Sequence, residues 1–268
     1  MASELEAPSL ATDGTLEGLL TAIYAAFEQD LHPPNIQLVE QQQSSLFDSV
    51  IPVITNIEQA EKMKARIIEA AGKRCYDNVK ALYLSDDPTR GGTAFRYTDY
   101  ALRTGEWSLN HLAHPVVAEA ESIIRKVYLE ARYMIQFVRF ADIGSGLYYA
   151  HISPQASVVP LIMSHFAKRY NVQPFIIHDS IHGLSGVFNT RRWWMVEGVP
   201  EGISLASEAD DCYQQLWQRF YKTIAIPERK NPTVQRNFMP KRFWGDMCEQ
   251  RLSYIRRGDT PLDRLANQ

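Results

Sequence analysis

Cysteine is scarce in this chain of 268 residues, which has only Cys75, Cys212 and Cys248. The number is odd, the positions are far apart, and no C-x-x-C pair is present. This pattern argues against a disulfide framework and against a cysteine-ligated zinc or iron–sulfur site. Unpaired cysteines are typical of the reducing cytoplasm, so we expect a cytoplasmic protein.

Long apolar runs and early positive charge are also missing. No apolar run approaches the roughly 20 residues that a transmembrane helix requires, so we expect no membrane partner. Residues 1–60 contain nine Asp or Glu and no Lys or Arg, whereas a secretory signal or transit peptide needs positive charge. Residues 219–257 instead contain ten Lys or Arg against three Asp or Glu. The basic end is either a nucleic-acid surface or one of two solvated faces that attract each other.

The familiar catalytic motifs are absent. The chain has no P-loop, no G-x-S-x-G, no H-E-x-x-H and no G-x-G-x-x-G. His111 and His114 have the spacing of metal ligands, but Pro115 follows at once and no third ligand is evident. His151 stands alone beside apolar residues, which is typical of a half-buried structural histidine. We therefore expect no bound metal and no cofactor.

The composition is that of a globular protein, with 45% hydrophobic and 22% charged residues. Apolar residues recur at helical spacing through the first half, and the period changes from 3.6 to 2 after Gln136. The pattern predicts an α+β fold, in which a helical N-terminal half precedes an antiparallel sheet. Two β-hairpin units with flanking helices build that sheet.

The same pattern predicts the organisation of the chain. We interpret 1–12 as a disordered start, 13–250 as a single α+β domain and 251–268 as a C-terminal tail. Within the domain, 13–134 is predicted to be mostly helical and 135–250 to be a layer of hairpins and helices. Shorter predictions are an exposed loop at 35–49, an edge strand at 50–55, strands at 137–141, 147–152, 174–178 and 184–189 or 193–196, and helices at 156–170, 207–222 and from 240 onward.

His178 and Asp179, followed by His182, form the most suggestive chemical cluster. An imidazole beside a carboxylate can hold a divalent metal or act as a general acid–base pair. The pair follows Phe-Ile-Ile and is predicted to end a strand, where adjacent side chains point to opposite faces. One ion therefore cannot contact both, and hydrogen bonding is the alternative role. With His165 and Arg139, His178 and Asp179 are the candidate catalytic residues.

The segment 226–244 alternates cations with aromatic rings, and two of its prolines favour an extended chain. Cationic groups bind phosphate and aromatic faces stack on bases, so this pattern favours nucleic-acid binding. The alternative is a strap that packs its rings on the core and leaves its charges in water. The candidate nucleic-acid contacts are Arg125, Arg139, Arg229, Lys230, Arg236, Lys241, Arg242 and Trp244.

Several stretches taken together resemble one bacterial family, described as "probable DNA metabolism protein". They are DGTLEGLLTAIY (13–24), RKVYLEAR (125–132), FVRF (137–140), LYYAHISP (147–154), HFAKRY (165–170), QPFIIHD (173–179), LWQRFYKTIAIPERKNP (216–232) and MPKRFW (239–244). The resemblance covers nearly the whole chain, from about 13 to 250. In that family a basic residue typically stands between the His-Asp pair and the next glycine, whereas this chain has His182 before Gly183.

The resemblance implies a role in DNA metabolism or repair. Members of that family accompany a radical-SAM protein of putative DNA modification or repair, and some are fused to a uracil-DNA-glycosylase-like domain. This chain resembles the unfused form and lacks the C-x-x-x-C-x-x-C run of radical-SAM enzymes. The leading hypothesis is an accessory protein that binds DNA and a radical-SAM partner. The alternatives are a hydrolase or lyase acting on a nucleotide or damaged base, and a purely structural partner.

Overall fold

The computed structural model describes residues 8–32, 35–38, 50–144, 146–199, 216–220, 223, 226, 229 and 231–250. The chain divides into two compact units, residues 1–128 and 129–268, and the division falls within the helix Pro115–Phe137. The predicted single domain over 13–250 stays a prediction. None of the helices in the described ranges combines the length and the apolar character that a membrane span needs.

The first unit combines helices with a small parallel sheet. Its elements are β1 (Ser9–Thr12), α1 (Leu16–Glu28), β2 (Ile36–Leu38), β3 (Val50–Pro52), α2 (Ile57–Tyr83), α3 (Arg90–Thr104) and the start of α4 (Pro115–Phe137). The sheet order is β2-β1-β3, with both pairs parallel. Thr15 caps α1 by accepting the backbone N–H of Gly18 at 2.9 Å. The helical interpretation of this half is confirmed, and the backbone of α2 departs from helical geometry at Gly72.

Two predictions for the first unit were wrong. The start of the chain, 1–12, was expected to be disordered, but it contains the central strand β1. This strand is ordered because Leu10 is buried and β1 pairs with a strand on each side. The expected loop at 35–49 begins with β2, in which Ile36 and Leu38 are buried while Gln37 is half-buried. Residues 1–7 and 39–49 lie outside the described residues. The predicted edge strand is confirmed in β3, where Pro52 occupies an outer strand.

The second unit is built on a five-stranded sheet in the order β4-β5-β6-β7-β8. Its further elements are β4 (Ala141–Asp142), β5 (Tyr148–Ile152), α5 (Val159–Arg169), β6 (Phe175–Asp179), β7 (Leu184–Phe188), β8 (Trp193–Glu197), α6 (Pro232–Phe238) and a 3-10 helix (Lys241–Asp246). The predicted α+β class is confirmed, as is the hairpin at Gly144 and Gly146, which joins β4 to β5.

The sheet differs from the expected antiparallel one at a single pair. β5 and β6 are parallel because α5 connects them as a crossover, which returns the chain to the same end of the sheet. The predicted strand at 137–141 begins later, because α4 continues to Phe137, whose ring stacks on Tyr133 at 5.7 Å. Of the predicted helix at 207–222, only part lies within the described residues, and residues 216–220 are helical.

Helix α5 covers one face of this sheet. A Cβ on Gly186 of β7 would overlap the side chain of Met163 and lie 2.9 Å from Cγ1 of Val159. Only glycine allows the helix to approach the strand this closely. Because side chains alternate along a strand, Ser185 and its register partner His178 face the other side of the sheet. The fold therefore places these two polar residues on the face away from α5.

Candidate active site

Two histidines lie side by side where β5 and β6 approach their carboxyl ends. His151 and His178 are register partners on these parallel strands, and their ring centroids are 6.2 Å apart. Parallel strands end at the same edge of a sheet, so both imidazoles lie near one edge. The ring of Tyr149 lies two residues back on the same face, 6.4 Å from the ring of His178. The arrangement is a pair of titratable rings beside an apolar strand surface.

His178 is 8% exposed and has one neutral hydrogen-bond partner. Its Nδ1 lies 3.0 Å from Oγ of Ser185, whose hydroxyl donates to the carbonyl oxygen of Gly198 at 2.6 Å. Burial lowers the pKa of His178, the nearby His151 lowers it further, and Asp179 raises it by a smaller amount. His178 is therefore held predominantly as a neutral imidazole at neutral pH.

His151 has a charged partner instead. Its Nδ1 lies 3.0 Å from Oδ1 of Asp246, a carboxylate 95 residues later in the chain. Oδ2 of Asp246 accepts the hydroxyl of Ser153 at 2.6 Å and the backbone N–H of the same residue at 3.2 Å. Asp246 is largely buried, while 28% of the His151 side chain is exposed. The carboxylate is thus fixed in position and the imidazole reaches solvent.

Among the contacts that fasten the segment 241–250, which supplies Asp246, to the rest of the second unit, three involve a buried ring or an ion pair. Phe243 is 1% exposed and its ring lies 5.4 Å from that of Tyr133. The guanidinium of Arg242 donates to the buried carboxylate of Glu130, which also accepts the backbone N–H of Gln155 at 2.9 Å. These contacts hold the 3-10 helix in place, so Asp246 lies where His151 can reach it.

The third fastening is an ion pair between Arg139 and Glu249, with a nitrogen–oxygen distance of 2.6 Å. Burial raises the pKa of the Glu249 carboxyl, but its hydrogen bonds, with that from Arg139 the largest of them, and the charge of Arg139 together outweigh burial, so the pKa is lowered overall. Arg139 was a candidate both for catalysis and for DNA contact. The structure engages its charge with a carboxylate that is only 2% exposed.

The other predicted catalytic residues do not converge with His178. Asp179 is fully buried and accepts the ring N–H of His182 at 2.7 Å and two backbone N–H groups, from Ile181 and His182. It stands next to His178 on a strand and so faces the opposite side, as the sequence predicts. His165 is exposed on α5, the helix on the other face of the sheet.

The predicted nucleic-acid contacts fall into two groups. Arg229, Arg236, Lys241 and Arg242 are all exposed, but the guanidinium of Arg242 is also paired with the carboxylate of Glu130. Trp244 is half-buried and donates its indole N–H to the carbonyl of Met239 at 3.0 Å, with Lys241 lying 6.0 Å above its ring. Arg125 is exposed on the part of α4 that belongs to the first unit, and its nearest carboxylate is Glu121 at 3.7 Å. Lys230 lies outside the described residues.

Sequence reasoning missed His151 and Asp246 as partners. Their separation of 95 residues gives no local pattern, and His151 in isolation resembles a structural histidine. The available signal was the pairing of β5 with β6, which becomes visible once residues 156–170 are recognised as a crossover helix. No cluster of three or more His, Cys, Asp or Glu side chains suited to a metal ion occurs within the described residues.

Comparisons with known proteins identify the family of this chain, but they do not identify an activity. No curated protein matches this chain. A solved structure, the pGpG-specific phosphodiesterase PggH from Vibrio cholerae, is 11% identical, with 81% of this chain and 99% of that chain covered. The TM-score is 0.36, at which the likeness carries no argument. The model of a domain of unknown function, DUF4130, matches residues 88–249, more than half of the chain. The chain therefore belongs to the DUF4130 family.

Proposed function

We propose that this protein is a hydrolase or lyase that acts on a nucleotide or on a damaged base in nucleic acid. The observation that supports it is the adjacent pair His151 and His178, with ring centroids 6.2 Å apart and Nδ1 of each ring already bonded. No described residue bonds to Nε2 of either ring, so these two nitrogens are the ones that can exchange protons with a substrate. Two adjacent imidazoles can supply a general base and a general acid in one step.

The substrate class is supported by a different part of the second unit. Arg229, Arg236 and Lys241 are exposed cations, and Phe238 is 73% exposed. Cations attract phosphate, and an exposed ring can stack on a base. The resemblance to a DNA metabolism family points to the same class of substrate.

Turnover of nucleotides and of oligonucleotides that carry damaged bases tests the proposal. We expect His151→Gln and His178→Gln each to lower the rate by about 100-fold or more, the typical contribution of general acid–base catalysis. His165→Gln is the matched control, because that histidine is exposed on the opposite face, and it should retain the parental rate. Equal rates for all three variants, with circular dichroism showing intact folds, would contradict the assignment.

A second candidate function is the accessory role, in which the protein binds DNA and a radical-SAM enzyme performs the chemistry. The exposed Arg229, Arg236 and Lys241 favour it. Substituting all three with Ala should reduce the log–log salt slope of binding to duplex DNA by about 3, because each phosphate contact contributes roughly −0.9. Lys126→Ala is the matched control, because Lys126 is an exposed cation of the first unit that is not among the candidate contacts, and it should leave the slope unchanged.

The proposed radical-SAM partner is supported by the family resemblance alone. Co-purification of the two proteins at low salt, with and without DNA, tests it. Recovery of a stoichiometric complex would support the accessory role. If the two proteins do not associate under either condition, that role loses its partner.

A further inference from the structure

The hydrogen bonds around His178 determine which ring nitrogen carries its proton. The hydroxyl of Ser185 has one hydrogen, and the carbonyl oxygen of Gly198, 2.6 Å away, can only accept it. Oγ of Ser185 must then accept from Nδ1 of His178, 3.0 Å away, so Nδ1 carries the hydrogen. The neutral ring consequently presents the lone pair of Nε2.

The second histidine is arranged differently. Nδ1 of His151 donates to the carboxylate of Asp246, which cannot donate in return when it is ionised. Ser153 donates twice to the other oxygen of that carboxylate, through its hydroxyl and its backbone N–H. An ionised carboxylate at Nδ1 stabilises the positive charge that forms when Nε2 of the same ring is protonated.

We infer that the two histidines have distinct roles, with Ser185 and Asp246 as the positioning residues that assign them. His178 is the base and His151 is the acid. This inference rests on the proposed function, because the roles have meaning only in a reaction. The neutral Ser185–Gly198 chain offers no stabilisation for a charged His178, whereas the carboxylate offers it to His151. The lowered pKa of His178 agrees with this division.

In a hydrolytic step the protons balance as follows. Nε2 of His178 removes a proton from water while the water oxygen forms a bond to the substrate. The bond to the leaving group breaks, and the leaving group takes the proton from Nε2 of His151. The enzyme is left with a protonated His178 and a neutral His151, and exchange with solvent restores the starting state. No oxidant or reductant is needed.

Nitrogen-15 NMR of the histidine rings in the full chain tests the tautomer without a substrate. At a pH above 7 we expect the parental His178 to show a proton on Nδ1 and an unprotonated Nε2. Ser185→Ala should allow a mixture of the two tautomers, because the acceptor at Nδ1 is lost. Ser164→Ala is the matched control, since Ser164 is exposed on α5, and it should leave the signals of His178 unchanged.

A proton on Nε2 of the parental His178 would overturn the inference, and this result needs no variant to fold. Unchanged ring signals in a folded Ser185→Ala variant would also overturn the role of Ser185. If the protein turns over a nucleotide or a damaged base but His178 carries its proton on Nε2, the proposed function stands and the inference fails. The expected tautomer in a chain that turns over no nucleotide or damaged base would instead refute the proposed function, and with it the assignment of a base.

Discussion

The interiors of the two units differ in charge. Among the described residues, the first unit buries only uncharged polar side chains, such as Asn78 and Thr93. Glu130, His178 and Asp179 are all buried in the second unit. Removing a charge from water costs several kcal/mol unless a partner compensates for it. The difference indicates that the first unit is stabilised mainly by apolar packing, whereas the second maintains buried titratable groups. Two of them serve the candidate site, because His178 belongs to it and Glu130 pairs with Arg242 of the segment that supplies Asp246.

The largest effect should come from the apolar anchor of the segment 241–250. Phe243→Ala removes a ring that is 1% exposed, and we expect it to lower the free energy of unfolding by about 3–5 kcal/mol. Urea denaturation followed by tryptophan fluorescence suits this test, because four of the five tryptophans lie in the second unit. Phe238→Ala is the control, since that ring is 73% exposed and its loss should change stability by less than about 0.5 kcal/mol.

Next in size is the ion pair of Arg242 with Glu130. Arg242→Ala leaves a buried carboxylate without its cation, which should cost about 3 kcal/mol of stability, the low end for a broken buried pair. Adding Glu130→Gln should restore part of the loss, because the amide needs no counter-charge. Urea denaturation of the single and double variants measures both values. If Arg242→Ala weakened DNA binding but left stability unchanged, Arg242 would be a phosphate contact and not a fastening.

A smaller effect is expected in the first unit. The hydroxyl of Tyr97 accepts from the amide of Asn78 at 2.8 Å, and both residues are buried. Tyr97→Phe leaves that amide unpaired and should cost about 1–3 kcal/mol. Because burial raises the pKa of Tyr97 well above its usual range, the loss should be equal at pH 5 and pH 8. Thermal melts by circular dichroism at both pH values test this, and a loss that varies with pH would contradict a neutral interior.

The smallest effect is a pH dependence at His178. Its pKa is lowered in the folded state, so the unfolded chain binds the proton more readily as the pH falls below about 6.5. The parent should therefore lose stability between pH 7.5 and pH 5 relative to His178→Gln. The charged or titratable groups near this ring are His151 and Tyr149 on β5 and Asp179 on β6, and they remain in both proteins. Thermal melts of the parent and of His178→Gln at several pH values between 7.5 and 5 measure this difference in stability. If His178 were stabilised as a cation, the parent would instead gain stability relative to the variant as the pH falls.

Local patterns in the sequence predicted much of the fold. The helical spacing of apolar residues predicted the helices of the first half, such as α4, and the edge strand at 50–55 was also predicted, because both signals depend on near neighbours. The parallel pairing of β5 with β6 was harder, since it depends on how α5 returns the chain. β1 was missed because it has only four residues. A hydrophobic pattern of that length does not distinguish a strand from a frayed chain end.

The candidate site was less predictable than the fold. His178 was recognised from its neighbour Asp179, yet its partner in the structure is Ser185, which lies opposite it across a strand pair. Arg139 and Arg242 were assigned to phosphate because the carboxylates that pair with them are far away in sequence. Glu249 and Glu130 neutralise them from 110 and 112 residues away. Long-range pairing of charges leaves no local trace.

The candidate site depends on Gly186, a residue that does not belong to it. It follows Ser185 on β7, but it faces α5, while Ser185 faces the histidines. A methyl group added at Gly186 would push the strand and the helix apart, and Ser185 would move with its neighbour. A substitution at this position could therefore leave every polar residue of the candidate site intact and still shift Ser185 away from His178. Variants designed to probe the site should therefore include position 186, although Gly186 faces α5 and lies on the side of the sheet opposite the histidines.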